Sequence, residues 1–325
     1  MAVTRVGTLS AALLSIISYY DEANQPAQKV RMQTALAGIQ APVNGPWTLT
    51  WGPAVNDGVL AFVARGADGR YALALRGTLT DWDAKGLFDN IIEDLDALAL
   101  VPFLYPQSAG ANIAAGSNAA LALLVAATDP TTDSSLIDYL RQTAAAQGGK
   151  LVLDVVGHSL GGDLANLAAA WLADQLPKAA KLQLTLTPYT FAAPTTGDQG
   201  FANLWNTLFG TSSYACVNAN DIVPMAWNQL WTVQNTYGPQ NGPTLWDYSV
   251  TLWGTVGTAA EYLQTASIVY VPVTPSSADG FTGPAFLPQY TWADCVAQQH
   301  GLTSAYVPHV WFGWGGDLSA TPPPE

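Results

Sequence analysis

Two kinds of apolar pattern alternate along the chain. Short apolar runs bounded by turn residues predict strands at Val59–Arg65, Tyr71–Arg76, Leu151–Gly157, Tyr189–Ala193, Tyr214–Asn218 and Ile268–Val273. The turn Gly66-Ala67-Asp68-Gly69 joins the first two as a hairpin. Apolar residues at helical spacing predict helices at about Ala111–Ala127, Ser134–Gln147, Gly162–Leu176 and Gln199–Leu208, with Gly and Pro marking their ends. Strands alternating with helices imply an α/β fold whose mostly parallel sheet is covered on both faces. No internal repeat or linker interrupts the pattern. A single domain over residues 1–325 is therefore expected, with a disordered tail at 319–325 that ends Thr321-Pro322-Pro323-Pro324-Glu325.

The N-terminal stretch has one cation, Arg5, and a short apolar run from Ala11 to Ile17. It resembles a weak signal peptide, yet no small-residue cleavage site follows, so it reads as an amphipathic helix of the mature domain ending near Asp21. Secreted and cytoplasmic placement both fit it. No apolar stretch reaches the roughly eighteen residues that a membrane span needs.

Composition narrows the partners. The chain is 49% hydrophobic and 11% charged, so apolar side chains have to reach the surface as well as fill a core, which suits a greasy partner. All eleven Lys and Arg lie between Arg5 and Lys181, within a formal net charge of -13. From Leu182 to Glu325 nothing can neutralise a phosphate backbone, which argues against nucleic acid as a ligand. The two cysteines, Cys216 and Cys295, do not make a disulfide scaffold; they read as two buried thiols or one bridge. No Cys/His cluster has zinc-ligand spacing, and no metal or other cofactor is expected.

The chemistry centres on Gly157-His158-Ser159-Leu160-Gly161-Gly162. A buried strand, Leu151 to Val156, runs into it, and Leu164, Leu167, Ala168, Trp171 and Leu172 follow with helical period. Glycines two before and two after a serine let the turn tighten until the hydroxyl stands clear at the sheet edge, as a nucleophile requires. The helix beginning there aims backbone N–H groups at the reaction centre, which makes the Leu160 N–H an oxyanion donor.

Only three histidines can serve as the base. His158 is adjacent to Ser159, where neighbouring side chains diverge, so it reads as packing or orienting under the turn. His300 follows a short helical pattern, Trp292 to Gln299, in a polar setting; His309 lies in an apolar run with aromatic neighbours. His300 is the favoured base and His309 the alternative. The chain order Ser, acid, His places the acid between Ser159 and the base. Asp221 follows the strand Tyr214–Asn218, at the edge where Ser159 also emerges. Asp198, Asp247, Glu261 and Asp279 lie in helix starts or polar loops, where caps and solvated charges are usual.

With these residues in hand, the chain resembles the class 3, fungal-type lipases of the α/β-hydrolase fold, from about residue 55 to 310. Four segments carry the resemblance: Leu75-Arg76-Gly77-Thr78 with Asp81-Trp82, the elbow Val156 to Gly162, Tyr189-Thr190-Phe191-Ala192-Ala193-Pro194 with Gly197 and Phe201, and Asn220-Asp221-Ile222-Val223-Pro224. The resemblance implies an ester or lipid substrate met at a lipid–water interface, with Ser159 as nucleophile, Asp221 as acid and Thr78 as second oxyanion donor. It also favours His300, because bacterial members often carry Gln-His with a tyrosine a few residues on, here Gln299-His300 and Tyr306; the slightly long spacing keeps His309 open. Members often carry a lid after the oxyanion strand. Trp82 to Leu98 matches that place, with Trp82 and Phe88 as substrate-binding side chains, against the reading of a fixed helix. Departures are Asp163, where small residues are usual, and the Trp-rich stretch from Trp227 to Trp253, which is expected to shape the substrate pocket. Rival activities on the same machinery are phospholipase, polyester depolymerase and feruloyl-type esterase; a non-catalytic lipase-like binding protein is the rival of another class.

Overall fold

The computed structural model describes residues 3–39, 45–77, 97, 99–106, 110–179, 182–225, 227–229, 232, 268–284 and 292–313. Among them, seven strands form one sheet: β1 (Trp47–Asn56), β2 (Val59–Gly66), β3 (Tyr71–Leu75), β6 (Lys150–His158), β7 (Gln183–Phe191), β8 (Tyr214–Asn218) and β9 (Ser277–Phe281). Their spatial order is β1-β2-β3-β6-β7-β8-β9. β1, β2 and β3 pair antiparallel, and every later pairing is parallel. Two short strands, β4 (Leu100–Pro102) and β5 (Asn112–Ala114), pair apart from it. The mostly parallel sheet expected from the alternation is the observed one.

Alternating strand residues feed two separate cores. Leu73, Leu75, Leu153 and Val155 face α3 (Ala115–Ala126), α4 (Leu136–Ala146), α5 (Leu160–Gln175) and α6 (Gln199–Phe209). Ala72, Ala74 and Val156 face α1 (Arg5–Ser18), α2 (Gln25–Gly38) and the C-terminal elements. Those are a π-helical segment (Leu302–Tyr306) and α8 (Val307–Gly313), which follow α7 (Trp292–His300). The helix termini follow local chemistry: Thr4, Asn24, Ser135 and Asp198 each accept a backbone N–H at an N-cap.

Several expectations change. Residues 7–18 of α1 are buried on every side, so it is a core helix rather than an amphipathic one. Its hydroxyls are satisfied within the helix: Ser15 donates to the Ala11 carbonyl at 2.9 Å and Ser18 to that of Ser15 at 2.7 Å. Ile268–Val273 is not a strand; the last sheet strand is β9, which begins after it. β1 was hidden because its register shifts twice around Gly52, which breaks the period-2 pattern. Gly52 has φ +83°, and a Cβ there would lie 2.8 Å from the Ala61 carbonyl oxygen.

Asp163 sits in the first turn of α5, fully buried, and accepts a 2.6 Å bond from Ser117 Oγ. Burial pushes its carboxyl up from 3.8 to about 6, against the opposing pull of that hydrogen bond. A raised carboxyl means that the folded state holds a proton the unfolded chain has lost, so this contribution to stability fades as pH rises from about 4 through 6. Asp163→Asn is therefore expected to be more stable than the parent above pH 7, by on the order of 2 kcal/mol, with the two converging near pH 4. Thermal unfolding at several pH values checks this; a parent and variant that stay parallel across the range would refute it.

Candidate active site

The site begins at the end of β6. Ser159 has φ 59° and ψ -132°, a left-handed backbone that costs a non-glycine residue on the order of 1–3 kcal/mol. Neighbouring strands and the helix hold it there. Its N–H donates to the Phe191 carbonyl at the end of β7 (2.9 Å), and its carbonyl accepts from the N–H groups of Gly162 (2.8 Å) and Asp163 (3.2 Å). The glycines let three backbones converge on the turn. A Cβ at Gly157 would collide with the Gly161 carbonyl, one at Gly161 with the Leu75 carbonyl, and one at Gly162 would lie 2.9 Å from Ala193 Cβ. Gly161→Ala is accordingly expected to lower stability by more than about 3 kcal/mol or to prevent folding. A variant with an unchanged melting temperature would show that β3 does not press on the elbow.

The imidazole of His300, the last residue of α7, bridges to the serine. His300 Nε2 lies 2.8 Å from Ser159 Oγ, and Nδ1 lies 2.8 Å from Asp221 Oδ2. An ionised carboxylate only accepts, so Nδ1 carries the proton and Nε2 is left to accept from the serine hydroxyl. Ser159, His300 and Asp221 are 3%, 1% and 0% exposed, so little solvent screens their interactions.

The carboxylate is fixed in turn. Asp221 follows β8, where its own N–H donates to the Asn218 carbonyl at 3.0 Å. Oδ1 accepts from the Val223 N–H (2.9 Å), and Oδ2 also accepts from the Tyr306 hydroxyl (2.6 Å). Burial, then the negative charge of Asp221, pushes the Tyr306 phenol well above its ordinary value, so it remains a donor. Asn218 ties this acid loop to α7, donating through Nδ2 to the carbonyl and Oε1 of Gln299 at 2.9 and 2.8 Å. Its Oδ1 accepts from the N–H groups of Asn220 and Gly283.

His158 lies beneath, not beside, the serine hydroxyl. Its Nε2 is 2.8 Å from the His300 carbonyl, which only accepts, so Nε2 carries the proton. Nδ1 then accepts from the Tyr19 hydroxyl at 2.8 Å. Burial, reinforced by the nearby His300, lowers the His158 pKa well below the ordinary value and keeps the ring neutral. Nothing local marks Tyr19, Asn218 or Gln299 as supports; each meets its partner only through the fold. Tyr306 was visible as a tyrosine near His300 but not as a partner of Asp221.

His309 goes elsewhere. On α8, its Nε2 lies 3.0 Å from Asp279 Oδ1, and its ring stacks on Phe281 at 4.0 Å. Asp198 caps α6. Cys216 and Cys295 are both buried and unbridged. Leu160 opens α5, so its N–H is among the four that have no acceptor within the helix. Thr78, Trp82 and Phe88 lie outside the described residues, as do 82–96 and 98 of the lid stretch, Asp247, Glu261, the tail 319–325 and most of the Trp-rich segment. Gly77, just before Thr78, does reach the elbow: a Cβ there would lie 3.2 Å from Ser159 Cβ.

A mostly parallel sheet that carries a serine on a strand–turn–helix elbow, hydrogen-bonded through an imidazole to a carboxylate, defines an α/β-hydrolase. The family described as Lipase (class 3) matches residues 72–231. The fold superposes on M37 lipase with a TM-score of 0.77 at 22% identity, covering 98% of this chain and 97% of that one. It is also similar to a lipase from Rhizopus microsporus var. chinensis, with a TM-score of 0.50 at 20% identity over 71% of this chain and 72% of that one. A search of curated proteins gave no match. Over residues 72–231 the chain is of the class 3 lipase family, and it is a lipase-type ester hydrolase.

Proposed function

We propose that the protein hydrolyses carboxylic esters, of acylglycerol type or with short to medium acyl chains, through an acyl-enzyme on Ser159. The observation that carries this reading is the unbroken hydrogen-bonded chain from Ser159 Oγ through His300 to Asp221, each link 2.8 Å. His300 Nε2 takes the serine proton as Oγ attacks the ester carbonyl, and Asp221 stabilises the imidazolium that forms. The N–H groups of Leu160 and Thr78 receive the oxyanion. His300 then returns the proton to the leaving alcohol, and water, deprotonated by the same nitrogen, releases the acid. Trp82 and Phe88 contact the acyl chain, at a lipid–water interface.

A panel of p-nitrophenyl and glycerol esters of rising acyl length, run alongside covalent labelling by a fluorophosphonate, tests this. We expect hydrolysis across the shorter and medium esters, with label on a Ser159 peptide. A panel without turnover, or a label on another residue, refutes the reading.

A further inference from the structure

A second cluster of reactive side chains stands outside the Ser159 site. Cys216 and Asp279 are register partners on the parallel strands β8 and β9, so their side chains leave the sheet on the same side. His309 of α8 meets them there. One ligand atom from each of the three lies within 4.8 Å of the other two. We propose that Cys216, Asp279 and His309 bind one zinc-type divalent cation, through thiolate, carboxylate and imidazole, with solvent in the fourth position.

The donor set selects the class of ion. Thiolate with imidazole suits zinc and its close neighbours, whereas calcium and magnesium take oxygen donors. Tetrahedral zinc, with bonds of about 2.0–2.3 Å, holds its ligand atoms roughly 3.3–3.6 Å apart. His309 Nε2 and Asp279 Oδ1 are 3.0 Å apart, and the widest spacing has to close by about an ångström, which side-chain rotation supplies.

The groups around the three ligands are arranged to support such an ion. Tyr214 donates to Asp279 Oδ2 at 2.8 Å, leaving Oδ1 turned toward His309, the outer contact a metal-binding carboxylate usually has. Phe281 stacks on the His309 ring with an interplanar angle of 5° and fixes its plane. The cysteine is 1% exposed, while the side chains of His309 and Asp279 are 25% and 24% exposed, so an ion can arrive from solvent. A thiolate and a carboxylate also neutralise the two charges of the ion.

The ion would fasten α8 to the β9 end of the sheet. Phe281 meets both sides of this joint: its face stacks on His309, and Tyr306 packs edge-on against it at 5.3 Å. Tyr306 is the residue that bonds Asp221, so the clamp acts on the segment that supports the carboxylate rather than on the reacting atoms.

The test is metal binding by the whole protein, stripped with a chelator and then titrated with Zn²⁺ alone and, separately, with Co²⁺. We expect one Zn²⁺ per chain, a rise in melting temperature, and a thiolate-to-metal charge-transfer band in the Co²⁺ form. Cys216→Ala, Asp279→Asn and His309→Phe should each weaken binding by at least about tenfold and erase the thermal shift. Circular dichroism establishes that each variant folds; if Cys216→Ala does not, Asp279→Asn and His309→Phe decide. No stoichiometric Zn²⁺ in the parent overturns the proposal. So does binding that survives in any folded variant, which would place the ion among surface carboxylates, or a Co²⁺ spectrum without the thiolate band.

Discussion

Replacing Ser159 with alanine is expected to lower ester turnover by about 10⁴–10⁶-fold without loss of the fold. The change removes the oxygen to which His300 Nε2 is bonded at 2.8 Å, and with it the covalent route. At about 1.4 kcal/mol per factor of ten, such a loss is roughly 5–8 kcal/mol of barrier. The fold should gain slightly if anything, because the left-handed backbone of Ser159 is held by its own N–H and carbonyl, which alanine keeps. Residual hydrolysis above the uncatalysed rate is expected from binding and the oxyanion donors alone. Turnover of p-nitrophenyl esters, measured beside a melting curve, checks both halves. An alanine variant within tenfold of the parent rate would remove Ser159 from the mechanism.

Asp221→Asn is expected to lower kcat by about 10³–10⁴-fold with a much smaller change in KM. Asp221 accepts from three donors: the His300 Nδ1–H, the Tyr306 hydroxyl and the Val223 N–H. An amide in its place keeps one acceptor oxygen but turns an N–H toward one of those partners. If that partner is His300, the imidazole shifts its proton to Nε2 and can no longer accept from Ser159. Either way the negative charge that stabilises the imidazolium is gone. The variant should also lose stability, on the order of 1–3 kcal/mol, because a buried donor is left unpaired. Stopped-assay kinetics at saturating ester separate kcat from KM; a pure KM effect would assign Asp221 to substrate binding rather than to the base.

The parts of the fold that could be read in advance were those in which local pattern and tertiary role agree. β6 and α5 flank the elbow with unbroken apolar periodicity because both are buried on nearly all sides. β9 escaped for the opposite reason. Its sequence, Ser-Ala-Asp-Gly-Phe, has little strand preference, and pairing with β8 makes it a strand, whereas the β-branched run 268–273 joins no sheet among the described residues. α2 was missed because a single stripe of Gln28, Met32 and Leu36 is all it buries in an otherwise polar helix. At the candidate site, Ser159 and Asp221 were legible from turn chemistry and chain order. Between His300 and His309 the sequence offered the Gln-His resemblance and polar against apolar surroundings, the latter a weak guide: the one bonded to Ser159 is 1% exposed, and the one in the aromatic run faces solvent through a quarter of its side chain. Asn218 and Tyr19 carried no local mark and Gln299 only that of the residue before His300, since each is a support only by virtue of a partner at least 80 positions away along the chain.

The first helix has a practical consequence for anyone remodelling this lipase. Its apolar run tempts removal as though it were a dispensable leader, but Gly7 runs so near the sheet that a single added Cβ would strike the Tyr189 hydroxyl. At its far end the capping residue, Tyr19, reaches the histidine beneath the nucleophile. A trimmed gene, or a carrier protein fused flush against Thr4, thus alters the floor under the reaction centre; purification handles and immobilisation tethers need a spacer there.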